Sequence, residues 1–172
     1  TRIFNMLWRI AGPDFFVRLF RAILTDNGPE FSEPEMIEKY RPDPEHNPTK
    51  LLPRGVNVWF CDPYCSSQKP HIERFHNELR RILQKGTSFD SLTQEQINLA
   101  LSHLNSYSRE SLGGKTPYDL FIEKYGVQGK TFLDAINIVR IPSNQVTLHP
   151  FLLGQKYQRA ADKAILKKNG VI

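Results

Sequence analysis

The chain has 172 residues, enough for a sizeable core in one domain, and its 40% hydrophobic content is ordinary for a globular protein. Its 23 Lys and Arg against 18 Asp and Glu leave a net charge of +5, which agrees with a polyanionic partner and equally with a solvated surface of mixed charge. No segment reaches the ~20 apolar residues of a membrane helix, and two cysteines do not make a disulfide framework, so the setting reads as reducing and intracellular.

The first stretch, TRIFNMLWRIAGPDFFVRLFRAIL, is apolar but interrupted by Arg2, Arg9, Asp14, Arg18 and Arg21 and has no small-residue cleavage site, so it does not itself read as a secretory signal. Thr1 already stands inside a helix-like pattern, so the chain reads as a piece of something longer. Ile3, Phe4, Leu7 and Ile10 recur at helical spacing, and Gly12-Pro13 closes that helix. Asp14 is placed to cap a second helix over 15–20. Ala22, Ile23, Leu24 and Thr25 form a short buried strand that ends at Asp26-Asn27-Gly28, and Pro34-Glu35 opens a brief helix. Residues 41–55 hold four of the 12 prolines and read mostly as loop; 56–61 is a second strand.

From Pro70 the period becomes helical. Ile72, Phe75, Leu79, Ile82 and Leu83 line one face, expected to pack on a sheet, and Gly86 ends the helix. Thr93 and Gln96 make a capping-box pattern for the next helix, whose Ile97, Ala100, Leu101 and Leu104 face a core. Thr116-Pro117 begins a helix that stops at Gly126, residues 131–139 read as helical, and 146–148 as a short extended piece. The tail from 156 to 168 reads as a basic helix or a frayed end.

Two carboxylates carry the chemistry. Asp26 sits at a strand tip before a tight turn, which a turn alone would explain, since Asp, Asn and Gly tolerate turn dihedrals. Glu73 lines up with Asn77, Arg80 and Gln84 on a polar stripe away from the apolar one. That stripe is either a solvated face with Glu–Arg pairing or a ligand face. Arg74, Arg81 and Lys85 flank it and could hold phosphates. Cys61, Cys65, His71 and His76 superficially suggest zinc. Five residues between Cys65 and His71 are too few for a finger, and His71 and His76 stand ~140° apart on a helix. Cys61 is read as a small core residue. A strand-tip carboxylate followed by a helical one suits Mg²⁺, which takes few carboxylates plus phosphate oxygens, and a metal pair clamps both oxygens of a phosphoryl transfer.

TDNGPEF, FCDPYCSSQKPHIERFHNELRRILQKGTSFDSLTQEQIN, LNSYSRES and LGGKTPYDLF, in that order, resemble the second half of a bacterial DDE transposase of the insertion-sequence-thirty family. The resemblance runs from about Leu24 to Phe121. It implies an α/β fold: a partial ribonuclease-H-like integrase core over residues 1–125, lacking its first strands, and a mainly helical extension with a basic tail over 126–172. By that similarity Asp26 is the second catalytic Asp and Glu73 the catalytic Glu, both metal ligands. His76 and Arg80 fall where the family usually has Asn and Arg near the DNA ends; Asn77, Arg81 and Lys85 complete the expected DNA contacts. The implied cofactor is Mg²⁺, with Mn²⁺ as substitute and two ions only in a complete site.

The family's first Asp belongs on a strand well upstream. Nothing before Asp26 supplies it, since Asp14 leaves no room for the intervening strands, and Asp62 is read only as support. The resemblance therefore implies a transposase fragment, inactive alone, from a cytoplasmic, nucleoid-associated bacterial protein that binds transposon and target DNA and self-associates when whole. The alternative is a non-catalytic DNA-binding or oligomerisation remnant. Without its upstream neighbour, the strand at 22–26 would expose an apolar edge open to association.

Overall fold

A computed structural model describes residues 2–40, 49–63 and 65–154. They form a mixed α/β chain that divides into two compact units, residues 1–70 and 71–172. The basic tail expected over 156–168 and residues 41–48 of the proline-rich segment lie outside the described residues.

In the first unit the apolar spacing makes α1 (Arg2–Ala11), and α2 (Pro13–Leu19) follows directly. Asp14 does not cap α2. Pro13, with its preset φ, starts the helix one residue earlier, so Gly12 takes the cap position and Asp14 falls in the first turn, facing the positive end of the helix dipole. Then come β1 (Ala22–Thr25), a 3₁₀ turn over Pro29–Phe31, α3 (Glu35–Glu38), β2 (Lys39–Tyr40), β3 (Leu52–Pro53) and β4 (Asn57–Phe60). β2 and β3 form a small antiparallel ladder, so Leu52 and Pro53 at the end of the expected loop pair with the residues just before it. Pro53 sits at the end of β3, where a missing N–H is tolerated.

β1 pairs with β4 in parallel, Ala22 opposite Asn57 and Thr25 opposite Phe60. The expectation that the strand over 22–25 is buried is corrected here. Only Thr25 is buried, Ile23 is half-buried, and Leu24 and its neighbour Trp59 are 47% and 61% exposed. Cross-strand neighbours share a face, so Ile23 and Val58 turn inward while Leu24 and Trp59 turn out to an open side. The Val58 N–H points away from β1 and donates to Glu38 Oε1 at 2.8 Å, which blocks the β4 edge. Beside the outer edge of β1 no strand lies among the described residues.

Among the described residues, Phe15, Phe16, Ile37, Val56 and Cys61 are the buried apolar residues of this unit, Cys61 as the small core residue expected. Arg54 is buried with them, 2% exposed. Its Nη1 donates to the Ile37 carbonyl at 3.2 Å, its Nη2 to Asn5 Oδ1, and its guanidinium lies 5.7 Å from the Trp8 ring centre and 6.0 Å from those of Phe16 and Tyr40. The ring faces offset part of the cost of taking that charge out of water. Burial holds its pKa below the usual guanidinium value. Gly55 beside it has φ +77° and would bring a Cβ to 3.2 Å from Val17, so glycine is required there.

The second unit is helical. α4 (Pro70–Ile82) and α5 (Gln94–Ser106) meet in one core of Ile82, Leu83, Ala100, Leu104, Leu148 and Leu153, with Phe75 and Leu79 packed against it. The stripe on α4 thus finds helical partners within this unit. Ile72 is 42% exposed because only the later turns of α4 reach that core. The capping box is present: the Gln96 N–H donates to Thr93 Oγ1 and the Thr93 N–H to Gln96 Oε1. α6 (Pro117–Ala135) kinks at Gly126, whose φ of 57° and ψ of −140° break the helix where the sequence places a stop. It ends at Ala135 rather than 139, because Asn137 turns left-handed (φ 56°) and the Ile138 N–H bonds back to the Leu133 carbonyl.

The chain from Val139 to Leu148 belongs to no strand pair. Its amides instead find side chains of α5: the Val139, Ile141 and Thr147 N–H groups donate to Ser102 Oγ, Ser106 Oγ and His103 Nδ1 at 3.1, 2.9 and 3.1 Å. No helix among the described residues is long and apolar enough to cross a membrane.

His103 must stay neutral to accept that bond, and burial lowers its pKa from 6.5. Below about pH 6.5 the unfolded chain takes up a proton that the folded one refuses, so stability falls with falling pH until the folded pKa is passed. In urea melts between pH 7.5 and 5, about, the parent should lose stability steadily, and His103→Asn, whose Oδ1 keeps the acceptor without titrating, should flatten that slope. An unchanged slope would show that His103 is not the titrating group.

Candidate active site

The site begins where β1 and β4 end. The Cys61 N–H donates to the Thr25 carbonyl at 2.8 Å, and Asn27 Nδ2 to the Cys61 carbonyl at 3.3 Å. Thr25 Oγ1 reaches the Trp59 carbonyl at 3.4 Å. These bonds hold the two carboxyl ends side by side and leave Asp26 projecting from the tip, its side chain 61% exposed. Carboxyl ends of parallel strands are where such sheets bind ligands.

Asp26 already receives a cation. Lys69 Nζ lies 3.0 Å from Asp26 Oδ2, on a side chain only 21% exposed. The Lys69 ammonium, hydrogen-bonded to it, holds the Asp26 carboxyl below its ordinary 3.8. The loop that delivers Lys69 is closed by reciprocal bonds: the Asp62 N–H donates to Gln68 Oε1 at 2.9 Å, and Gln68 Nε2 to Asp62 Oδ2 at 2.7 Å. Asp62, read from sequence only as support for the site, is one half of this clamp. Lys69 and Gln68 were not singled out from sequence. Their only signal is position, between the second strand and the Pro70 that opens α4.

The other expected site residues lie on α4, in the second unit. Glu73 is exposed in the first turn, and His76, Asn77 and Arg80 follow at +3, +4 and +7, all exposed and on one side of the helix. The Glu–Arg pairing that a bland surface would use does not form; among the described residues neither Glu73 nor Arg80 makes an ion pair. Arg81 is engaged, its guanidinium 5.4 Å from the Tyr107 ring centre. Arg74 donates to Ser111 Oγ at 2.8 Å, while Lys85 is exposed beyond the helix end. Glu78, on the opposite flank, pairs with Arg109 at 2.7 Å.

The donor present at the strand tip is a single carboxylate. Among the described residues no three His, Cys, Asp or Glu side chains cluster. Asp26 offers carboxylate oxygens, the ligand type Mg²⁺ takes in ones and twos while keeping its water. It is exposed, and its Oδ2 accepts from an ammonium, the position of a cation partner. Replacing that ammonium by an apolar chain, as in Lys69→Met, should raise the Asp26 pKa toward 3.8 in a carboxyl NMR titration; no change would mean that the pair does not persist in solution.

Comparison with known proteins gives the chain its kin. It is 29% identical over 103 residues to a putative integrase of Spiroplasma virus SpV1-R8A2 B, and 31% identical over 103 residues to the transposase for insertion sequence element IS4351 of Bacteroides fragilis. Each of these matches takes in 60% of this chain and 28% of the relative. Against the transposase InsI for insertion sequence element IS30A of Escherichia coli K12 it is 33% identical over 66 residues, 38% of this chain and 17% of that protein. No family model and no solved structure matches. The chain spans less than a third of the length of these curated relatives. Over the aligned stretch it is a relative of insertion-sequence transposases and of a viral integrase.

Proposed function

We propose that the chain carries part of the DNA-cleaving and DNA-joining centre of an insertion-sequence-thirty transposase, with Asp26 and Glu73 as two of its metal-holding carboxylates. The observation that carries this reading is the exposed Asp26 at the joined carboxyl ends of a parallel strand pair, in a chain whose relatives are transposases. That parallel pair also supports a ribonuclease-H-like core as the parent fold. Mg²⁺, when bound, supplies charge neutralisation at the scissile phosphodiester and activation of the attacking oxygen. Asp26 and Glu73 hold the cation. His76, Asn77 and Arg80, exposed along α4, hold the DNA backbone, Arg80 best suited to a phosphate by its planar fork. Arg81 and Lys85 flank them as further contacts.

Two carboxylates bind a cation more weakly than three, so the chain alone is expected to bind metal and DNA without joining strands. Calorimetric titration with Mn²⁺ tests the reading: saturable binding in the parent should be lost in both Asp26→Asn and Glu73→Gln. Binding that survives both substitutions would remove these residues from the site. DNA binding with no metal binding would favour the non-catalytic reading, which the exposed basic residues of α4 also support.

The same strands support self-association. The outer edge of β1 has no strand beside it among the described residues, and Leu24 and Trp59 are exposed next to it. Sedimentation velocity should find the parent associated and Leu24→Lys shifted toward monomer. A monomeric parent would count against association through this edge.

A further inference from the structure

The Lys69–Asp26 pair does more than neutralise a carboxylate. Lys69 is the residue immediately before α4, the helix that carries Glu73, His76, Asn77 and Arg80. Its loop is fixed by the Asp62–Gln68 clamp and by the Cys65 and Gln68 amides, which donate to the Asp62 and Cys65 carbonyls at 3.2 Å each. The Lys69 chain is mostly covered, so its ammonium is presented at one place, whereas the carboxylate it meets is mostly in solvent. An ion pair so exposed on one side is weakly held and exchanges readily for another partner. An ammonium paired with a carboxylate contributes little to the field that a DNA backbone meets; the same ammonium released is a compact phosphate ligand.

We propose that Lys69 is a gated DNA-backbone ligand: Asp26 holds its ammonium away from DNA, and a cation that neutralises Asp26 releases it onto a phosphodiester oxygen. Metal loading and DNA grip are thereby coupled at one carboxylate. The exchange is purely ionic; no bond is made or broken, and the Lys69 proton stays where it is. The trigger rests on Asp26 as a metal ligand, but the gate does not, because any change that removes the Asp26 charge opens it.

The test is a double-mutant cycle in EDTA, reading the slope of log K against log salt for a short duplex of arbitrary sequence. Lys69→Met alone should leave the parent slope unchanged, since the paired lysine contacts no phosphate. Asp26→Asn should steepen the slope by about 0.9, the value of one added phosphate contact, and adding Lys69→Met to it should abolish that gain. Lys69→Arg should behave as the parent. The proposal is overturned if Lys69→Met already flattens the slope on the parent background, or if it changes nothing on the Asp26→Asn background. A second readout separates gate from trigger: Mn²⁺ should bind Lys69→Met several-fold more tightly than the parent by calorimetry. Failure of the parent to bind Mn²⁺ would overturn the metal reading and the trigger, while the EDTA cycle still decides the gate.

Discussion

The carboxyl ends of two parallel strands meet at Cys61, and the site depends on that meeting. One backbone bond from Cys61 to Thr25 and one side-chain bond from Asn27 back to Cys61 fix the tip of β1 to the tip of β4. A sheet of two short strands has little else to hold its register, since a slip of one residue would turn Thr25 out and Leu24 in. Thr25 resists that slip because it is buried and hydrogen-bonds across to the Trp59 carbonyl. The direction of Asp26 follows from that of Thr25: consecutive residues of a strand point to opposite sides. The Asp-Asn-Gly sequence therefore serves both as a turn and as a support for the carboxylate, through the Asn27 amide.

Each unit meets its hardest constraint, satisfying polar groups away from water, in its own way. The first unit buries a guanidinium among aromatic rings, with a carbonyl and an amide oxygen for acceptors. The second has a long irregular segment after α6 whose amides would otherwise go unpaired, and α5 offers it two serines and a histidine at successive positions along its buried side. A helix used this way replaces a neighbouring strand. It makes the packing of α5 specific, because apolar substitutes would leave backbone donors without partners.

Much of the architecture could be read before the structure. Local signals with a single physical cause were legible: the Thr93–Gln96 capping box, the break at Gly126, the two strand segments and the amphipathic α4. Signals that need a neighbour were not. Leu24 reads as buried because strand residues of that type usually are, yet its exposure depends on whether another layer lies over that face. Ile72 belongs to the apolar stripe of α4 by period, yet the core it would join begins one turn later. Asp14 has the chemistry of a cap, and Pro13 pre-empts it through a fixed dihedral. Lys69 carries no periodicity or motif that points to Asp26, since their meeting is made by a loop closure.

By itself, then, the sequence determined the kinds of element, their order, and the carboxylates and basic residues available for chemistry, because propensity, spacing and side-chain type are properties of a few adjacent residues. Only the tertiary structure decided which carboxylate is already paired, and with what. Asp26 with Lys69, Asp62 with Gln68, and Arg54 within its rings are encounters between residues remote in the chain or joined across a loop. Such encounters are set by register and loop path, and those are fixed only when the whole unit closes around its core.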